Sequence, residues 1–268
     1  MPGRIEEKFA ALRSAGQSAF VAYVTAGDPS PDAMPEILSA LDEAGTDIIE
    51  LGIPFSDPLA DGPTIQAAAG RALSAGMTVP RTLETVREFR KSSQTPVVFF
   101  TYLNPVFSYG FDRFVRDAAE AGADGLLVLD LPPEEAIAAK LSAGGLDAIR
   151  LIAPTTPEAR MAAICREAGG FIYYVSREGV TGERTDLADS LASQVAALKS
   201  LTRVPIAVGF GISTPAQAIE VARLADGVVV GSAIVRRIAE RAPGHSPGTV
   251  IKDFVTPLAA ATHSVTKQ

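Results

Sequence analysis

A chain of 268 residues with 47% hydrophobic and 21% charged side chains can bury one large core, and its balance excludes a disordered or fibrous protein. The formal charge of −7 gives no general attraction to nucleic acid or anionic membrane, so a phosphorylated ligand would need a local site. The richest apolar runs, Gly125 to Leu129 and Gly227 to Val230, fall far short of the roughly 18 residues of a membrane span. Acidic residues stand where a signal peptide would carry its apolar stretch, in Arg4-Ile5-Glu6-Glu7-Lys8, and a cytoplasmic location is expected.

Short apolar or β-branched runs alternate with longer stretches of helical period, with no Ser/Pro-rich linker to divide them. The first predicted strand is Phe20–Thr25, followed by a helix over Asp32–Ala44 and a second strand over Asp47–Ile53. Next come a helix over Pro80–Lys91, a strand over Pro96–Tyr102, a helix over Phe111–Ala121 and a strand over Gly125–Asp130. A helix over Pro133–Ala143 leads to the fifth strand, Ala148–Ile152, and a helix over Pro157–Ala168 to the sixth, Phe171–Ser176. Helix Leu187–Leu201, strand Pro205–Gly209, helix Thr214–Leu224 and strand Gly227–Val230 complete the alternation. Several of these helices open at Pro or a capping residue and stop at Gly, as in Glu120-Ala121-Gly122.

Eight βα units without a Gly-x-Gly-x-x-Gly after the first strand favour a closed (β/α)8 TIM barrel over an open doubly wound sheet. One barrel domain is expected over residues 1–268, with a short N-terminal helix and a C-terminal helical tail. Asp47, Asp124 and Asp226 each follow a small-residue turn and start a strand, which places them at the structural face of such a barrel rather than among catalytic groups.

Reactive groups of a barrel come from the C-terminal ends of its strands and the loops beyond them. Glu50 interrupts the apolar run Asp47-Ile48-Ile49-Glu50-Leu51-Gly52-Ile53, and a carboxyl desolvated in a strand mouth has a raised pKa that suits a proton donor. Pairing with a core arginine is the alternative. The following loop, Pro54 to Gln66, presents Asp57 and Asp61; either could serve only as turn-former or helix cap. Gly209-Phe210-Gly211-Ile212-Ser213 and Gly231-Ser232-Ala233-Ile234 follow strands 7 and 8, where barrels hold phosphate with glycine-rich backbone and a helix N-terminus. The polar loop Arg177 to Arg184, interrupted by Gly179 and Gly182, reads as a lid.

Other chemistries lack their residues. The lysines fall in helices or tails, so a Schiff-base lysine at the mouth is not expected. His245 and His263 lie near the C-terminus and are expected to be solvated, and no metal site is expected at the strand ends. Cys165, alone on an apparent helix face, is expected to be a buried structural thiol.

The stretches Glu50-Leu51-Gly52-Ile53-Pro54-Phe55-Ser56-Asp57-Pro58 and Ala60-Asp61-Gly62-Pro63-Thr64-Ile65-Gln66 resemble the tryptophan synthase α family, as do Tyr173-Tyr174-Val175-Ser176, Gly179-Val180-Thr181-Gly182 and Gly209-Phe210-Gly211-Ile212. The resemblance runs from about residue 20 to 240. It implies a lyase that cleaves indole-3-glycerol phosphate by retro-aldol chemistry, without cofactor or metal. It further implies Glu50 as acid/base, Asp61 as the carboxylate that meets the indole N–H, and Tyr173 near the reacting carbons. Gly182, Gly211, Gly231 and Ser232 match its phosphate site, Thr181 its lid, and Asp57 and Pro58 an interface with a β subunit in an αββα heterotetramer. A sugar-phosphate isomerase or epimerase, or a catalytically silent phosphate-binding regulator, remains the alternative on the phosphate loops alone.

Overall fold

Each strand carries apolar side chains on both faces, the pattern of a parallel strand that is covered on both sides. In the computed structural model, which describes residues 3–132, 137–176, 184–209, 211–242 and 244–267 and only the backbone over 184–190, these strands close on themselves. The barrel runs β1 (Ala19–Thr25), β2 (Ile48–Gly52), β3 (Val97–Thr101), β4 (Gly125–Val128), β5 (Asp147–Ile152), β6 (Ile172–Val175), β7 (Ile206–Gly209) and β8 (Gly227–Val230). Every neighbouring pair is parallel, and β8 returns to β1 with Ala19 opposite Gly227. The eight strands thus fall within a residue or two of their expected positions.

The helices, in chain order, are α1 (Arg4–Ser14), α2 (Met34–Glu43), α3 (Pro63–Ser74), α4 (Val79–Phe89), α5 (Leu103–Tyr109), α6 (Phe111–Ala121), α7 (Ala138–Ala143), α8 (Glu158–Glu167), α9 (Arg184–Leu201), α10 (Pro215–Leu224), α11 (Ser232–Ala239) and α12 (Pro247–His263). Their ends follow local chemistry. Thr214 accepts the N–H of Gln217 in a capping box with Pro215 at the first turn of α10, and α6 stops at Gly122, whose φ of 92° a side chain would resist.

Alternation along the strands sorts side chains between two cores. Outward residues such as Phe20, Ile49, Phe99, Leu126 and Val228 pack beneath the helices. Inward Val21, Ile48, Val98, Leu127, Ile149, Phe171 and Val229 form a second core that Ile5, Phe9 and Leu12 of α1 close from the N-terminal end, Phe9 lying 6.0 Å from Phe171. The N-terminal helix is therefore the floor of the barrel, and only the opposite end is left for chemistry. Cys165 is buried among the outer core, as expected.

The three strand-starting aspartates sit on that floor and share one arrangement. Asp47 accepts the Phe20 N–H, Asp124 the Val97 N–H and Asp226 the Ile206 N–H, at 2.8, 2.8 and 3.0 Å. In each case the carboxylate supplies an acceptor for an amide at the start of the preceding strand. Basic side chains then pair with them: Lys8 and the His263 imidazole at Asp47, Arg4 and Arg90 at Asp124, Lys199 and Lys267 at Asp226. His263 is thus not the solvated residue that its place near the C-terminus suggested. Its Nε2 lies 2.6 Å from Asp47 Oδ2 because α12 packs back along α2 and the barrel floor.

Asp124→Ala strips both the buried Arg90 and the Val97 N–H of their acceptor, and should lower the unfolding free energy by about 3 kcal/mol. The exposed Asp57→Ala should change it by less than about 0.5 kcal/mol. Urea denaturation of both variants checks the difference; equal losses would refute the structural role of the floor aspartates.

Candidate active site

At the C-terminal end of the barrel the interior changes from aliphatic to aromatic and acidic. Glu50 takes an inward position on β2, in register with Tyr23 of β1. It is 1% exposed, and neither carboxylate oxygen has a hydrogen-bond partner among the described residues. Burial therefore pushes its carboxyl up to about 8, because the charged form loses water and gains no partner in return. The core-arginine alternative is not realised: Arg150, the buried arginine of β5, directs its guanidinium to Glu167 of α8 at 3.3 Å.

Three aromatic rings line the space beside Glu50. Phe100 stands between Tyr23 and Tyr173, with centroids 5.2 and 6.4 Å away and planes tilted by 75° and 64°. Edge-to-face contacts of this kind hold rings in place and leave flat apolar faces for a ligand. Two glycines make room for the phenols: a β-carbon on Gly52 would overlap the Tyr23 hydroxyl, and one on Gly209 would overlap that of Tyr173. Burial, with the nearby carboxylates adding to it, pushes both phenols far above their ordinary range, so both remain neutral donors.

Asp61 reaches the same region from the loop between β2 and α3. It is not the helix cap that its sequence position allowed, since Gly62 holds the N-cap of α3 with no side-chain cap. Burial raises its carboxyl to about 6, and a hydrogen bond from Tyr102 works in the opposite direction. The loop is supported from behind by α3, where Arg71 grips Asp28 in the loop after β1 through paired bonds of 2.7 and 2.9 Å. Such a fork fixes direction as well as distance.

The expected phosphate residues take suitable backbone positions. Gly211 follows β7 with φ of 73°, Gly231 is the N-cap of α11, and Ser232 is its first residue. Gly231 lies against the Tyr23 ring, so the head of α11 abuts the aromatic layer. Gly182 and Thr181, with the rest of the expected lid between 177 and 183, lie outside the described residues. Asp57 is exposed and Pro58 half-buried on the loop beside Asp61, while Leu59 is 84% exposed.

Tyr23, Phe100 and Tyr102 were not singled out by sequence, although their inward parity near the ends of β1 and β3 is the signal that could have found them. Among the described residues no cation partners the buried carboxyl: Lys8, Lys91, Lys199, Lys252 and Lys267 are engaged at the floor or on outer helices, and Lys140 lies near Phe111. Among the described residues no group of three or more His, Cys, Asp and Glu side chains could hold a metal.

The family model described as tryptophan synthase alpha chain matches residues 9–261. The tryptophan synthase alpha chain of Citrifermentans bemidjiense is 53% identical over 235 residues, 87% of this chain and 88% of that one. That of Geobacter sulfurreducens is 49% identical over 260 residues, 96% and 98% of the two chains. Among solved structures, tryptophan synthase subunit alpha from Legionella pneumophila superposes with a TM-score of 0.91 at 39% identity, covering 98% of this chain and 99% of its own. This chain belongs to the tryptophan synthase alpha chain family, lyases that cleave indole-3-glycerol phosphate to indole and glyceraldehyde 3-phosphate in tryptophan biosynthesis.

Proposed function

We propose that Glu50 is the acid/base of this cleavage and that Asp61 stabilises the indole ring while it carries positive charge. The observation that carries the reading is the buried, unpartnered carboxyl of Glu50 beside an aromatic slot. Held protonated near neutrality, it can give its proton to indole C3, and the resulting carboxylate can take the proton of the glycerol hydroxyl. As that hydroxyl becomes the aldehyde, the carbon–carbon bond breaks and its electron pair returns to the ring as indole. One proton has moved from oxygen to carbon, and no redox partner or metal is consumed.

Asp61, ionised above about pH 6, accepts the indole N–H and faces the charge that develops when C3 is protonated. Tyr173, a buried neutral phenol across Phe100 from Tyr23, takes the role near the reacting carbons that the family resemblance implies. Gly211, Gly231 and Ser232 offer backbone N–H groups and a hydroxyl to the phosphate at the head of α11, where the helix dipole favours an anion. Gly182 completes that phosphate site and Thr181 meets Asp61 on lid closure, a reading that rests on the family resemblance.

The partner we assign is a tryptophan synthase β subunit in an αββα assembly, docked at the barrel mouth through Asp57, Pro58 and the exposed Leu59. Indole is small, neutral and apolar, so a closed route to a second site would prevent its escape. A cytoplasmic location fits this role, and no helix among the described residues is long and apolar enough to cross a membrane.

Glu50→Gln should reduce indole release by about 10³-fold, and Asp61→Asn by about 10²-fold, in a direct assay with indole-3-glycerol phosphate. Near-wild-type release from Glu50→Gln would sink the mechanism. Activity requires Asp61 ionised and Glu50 protonated, so kcat/KM should rise through about pH 6 and fall through about pH 8; a flat profile over that range contradicts the assignment.

The same burial predicts a stability effect. Glu50 binds its proton more tightly in the folded than in the unfolded state, so wild-type stability declines as pH rises from about 4.5 to about 8. Glu50→Gln escapes this decline, and its melting temperature should exceed wild type at pH 8 and approach it at pH 5; a lower value at pH 8 would show that the carboxylate has a hidden partner.

Leu59→Asp should weaken co-elution with a β subunit while leaving the isolated chain's indole release unchanged. Undiminished binding would move the interface elsewhere.

A further inference from the structure

Tyr102 closes β3 at its mouth end and is 6% exposed, yet the cleavage as described gives it no role. Its hydroxyl accepts the Ala60 N–H at 3.0 Å and is near enough to the Asp61 carboxyl for each to influence the other's titration. Its ring packs on Phe55 with centroids 5.4 Å apart. One phenol thus holds two parts of the loop between β2 and α3, its apolar start and the peptide before Asp61, and stands beside the Asp61 side chain. A tyrosine hydroxyl has one proton to donate and lone pairs to accept. With the Ala60 N–H occupying the acceptor side, the proton is left to point at Asp61.

We propose that Tyr102 is the positioning residue for Asp61, fixing the loop through the Ala60 N–H and the Phe55 ring while its O–H orients the carboxylate toward the aromatic slot. The proposal rests on the assignment of Asp61 above. A bond donated to a carboxylate favours its charged form, so the tyrosine also keeps Asp61 ionised at neutral pH against the desolvation that raises it. Among the described residues the titratable groups facing Asp61 from other elements are Tyr102 just after β3 and Tyr23 on β1, with Asp57 in the same loop. Tyr23 stays neutral, which leaves Tyr102 as the group whose removal shifts the carboxylate.

Tyr102→Phe keeps the ring on Phe55 and deletes only the hydroxyl. Its kcat should fall about tenfold with KM changed less than about threefold, and the acidic limb of kcat/KM should move up by about half to one pH unit. In an Asp61→Asn background the same substitution should cost little further, because the carboxylate it acts through is gone. Calorimetric binding of non-cleavable indole-3-propyl phosphate, followed as pH falls, should show the same displaced limb without turnover. A wild-type kcat and unmoved limb in Tyr102→Phe, or an equal tenfold loss in both backgrounds, would overturn the proposal. Full activity of Asp61→Asn alone would instead remove the underlying assignment.

Discussion

The desolvation of one carboxyl group governs this site. A carboxylate moved from water into an apolar interior without a partner is too costly to persist, and the group resolves the cost by holding its proton. Glu50 is in that state because no described residue gives it a cation or a hydrogen bond: Tyr23, in register on β1, has its hydroxyl 3.4 Å from Thr25 Oγ1, Val98, in register on β3, is apolar, and the aromatic wall lies beyond. The floor helix α1 is part of the same constraint. By closing the N-terminal end with Ile5, Phe9 and Leu12 it keeps water from reaching the layer from below, so desolvation is set from the mouth alone.

The two ends of the barrel treat the same chemical group in opposite ways. On the floor Asp47, Asp124 and Asp226 each receive a backbone N–H and two basic side chains, which ties α1, α4, α9 and the C-terminal segment to the strands. At the mouth, among the described residues, Glu50 receives neither, and Asp61 is approached by a phenol in place of a cation. The floor carboxylates are therefore tied into hydrogen-bonded ion pairs that serve stability, and the mouth carboxyls titrate near neutrality. That division matches the general split of a barrel into a stability face and a reactive face, here expressed as a difference in counterions.

The strands were legible because apolar runs of four to seven residues, spaced by helical segments, admit few other folds. Glu50 was legible as a charge inside such a run, and the glycines around Gly211 and Gly231 by their place after the seventh and eighth strands. Tyr23, Phe100 and Tyr102 were not, because an aromatic on a strand looks the same whether it fills a core or walls a slot; the difference lies in contacts across the barrel between β1, β3 and β6. His263 was misjudged for the same reason, since its partner Asp47 is 216 positions away. The role proposed for Asp61 draws on both: its loop position is legible in the sequence, while the lack of a side-chain cap on α3 and the nearness of Tyr102 follow from the fold.

A chain of net charge −7 that acts on a phosphate ester near two carboxyl groups has an electrostatic problem, and the raised pKa of Glu50 addresses it. In the proposed assignment the phosphate is met at the head of α11 by backbone dipoles rather than by lysine, so its attraction to the site is limited to that local field. A second fixed negative charge in the slot would oppose it across a low-dielectric interior. Keeping Glu50 neutral until substrate is bound removes that opposition and stores the proton the reaction needs, so the same burial serves binding and chemistry. Asp61 can remain ionised because its Tyr102 hydrogen bond and its place on the loop between β2 and α3 leave it partly solvated, and because the charge it faces in the cleavage is positive. The order of the two pKa values, Asp61 below neutrality and Glu50 above it, follows from how far each lies from water.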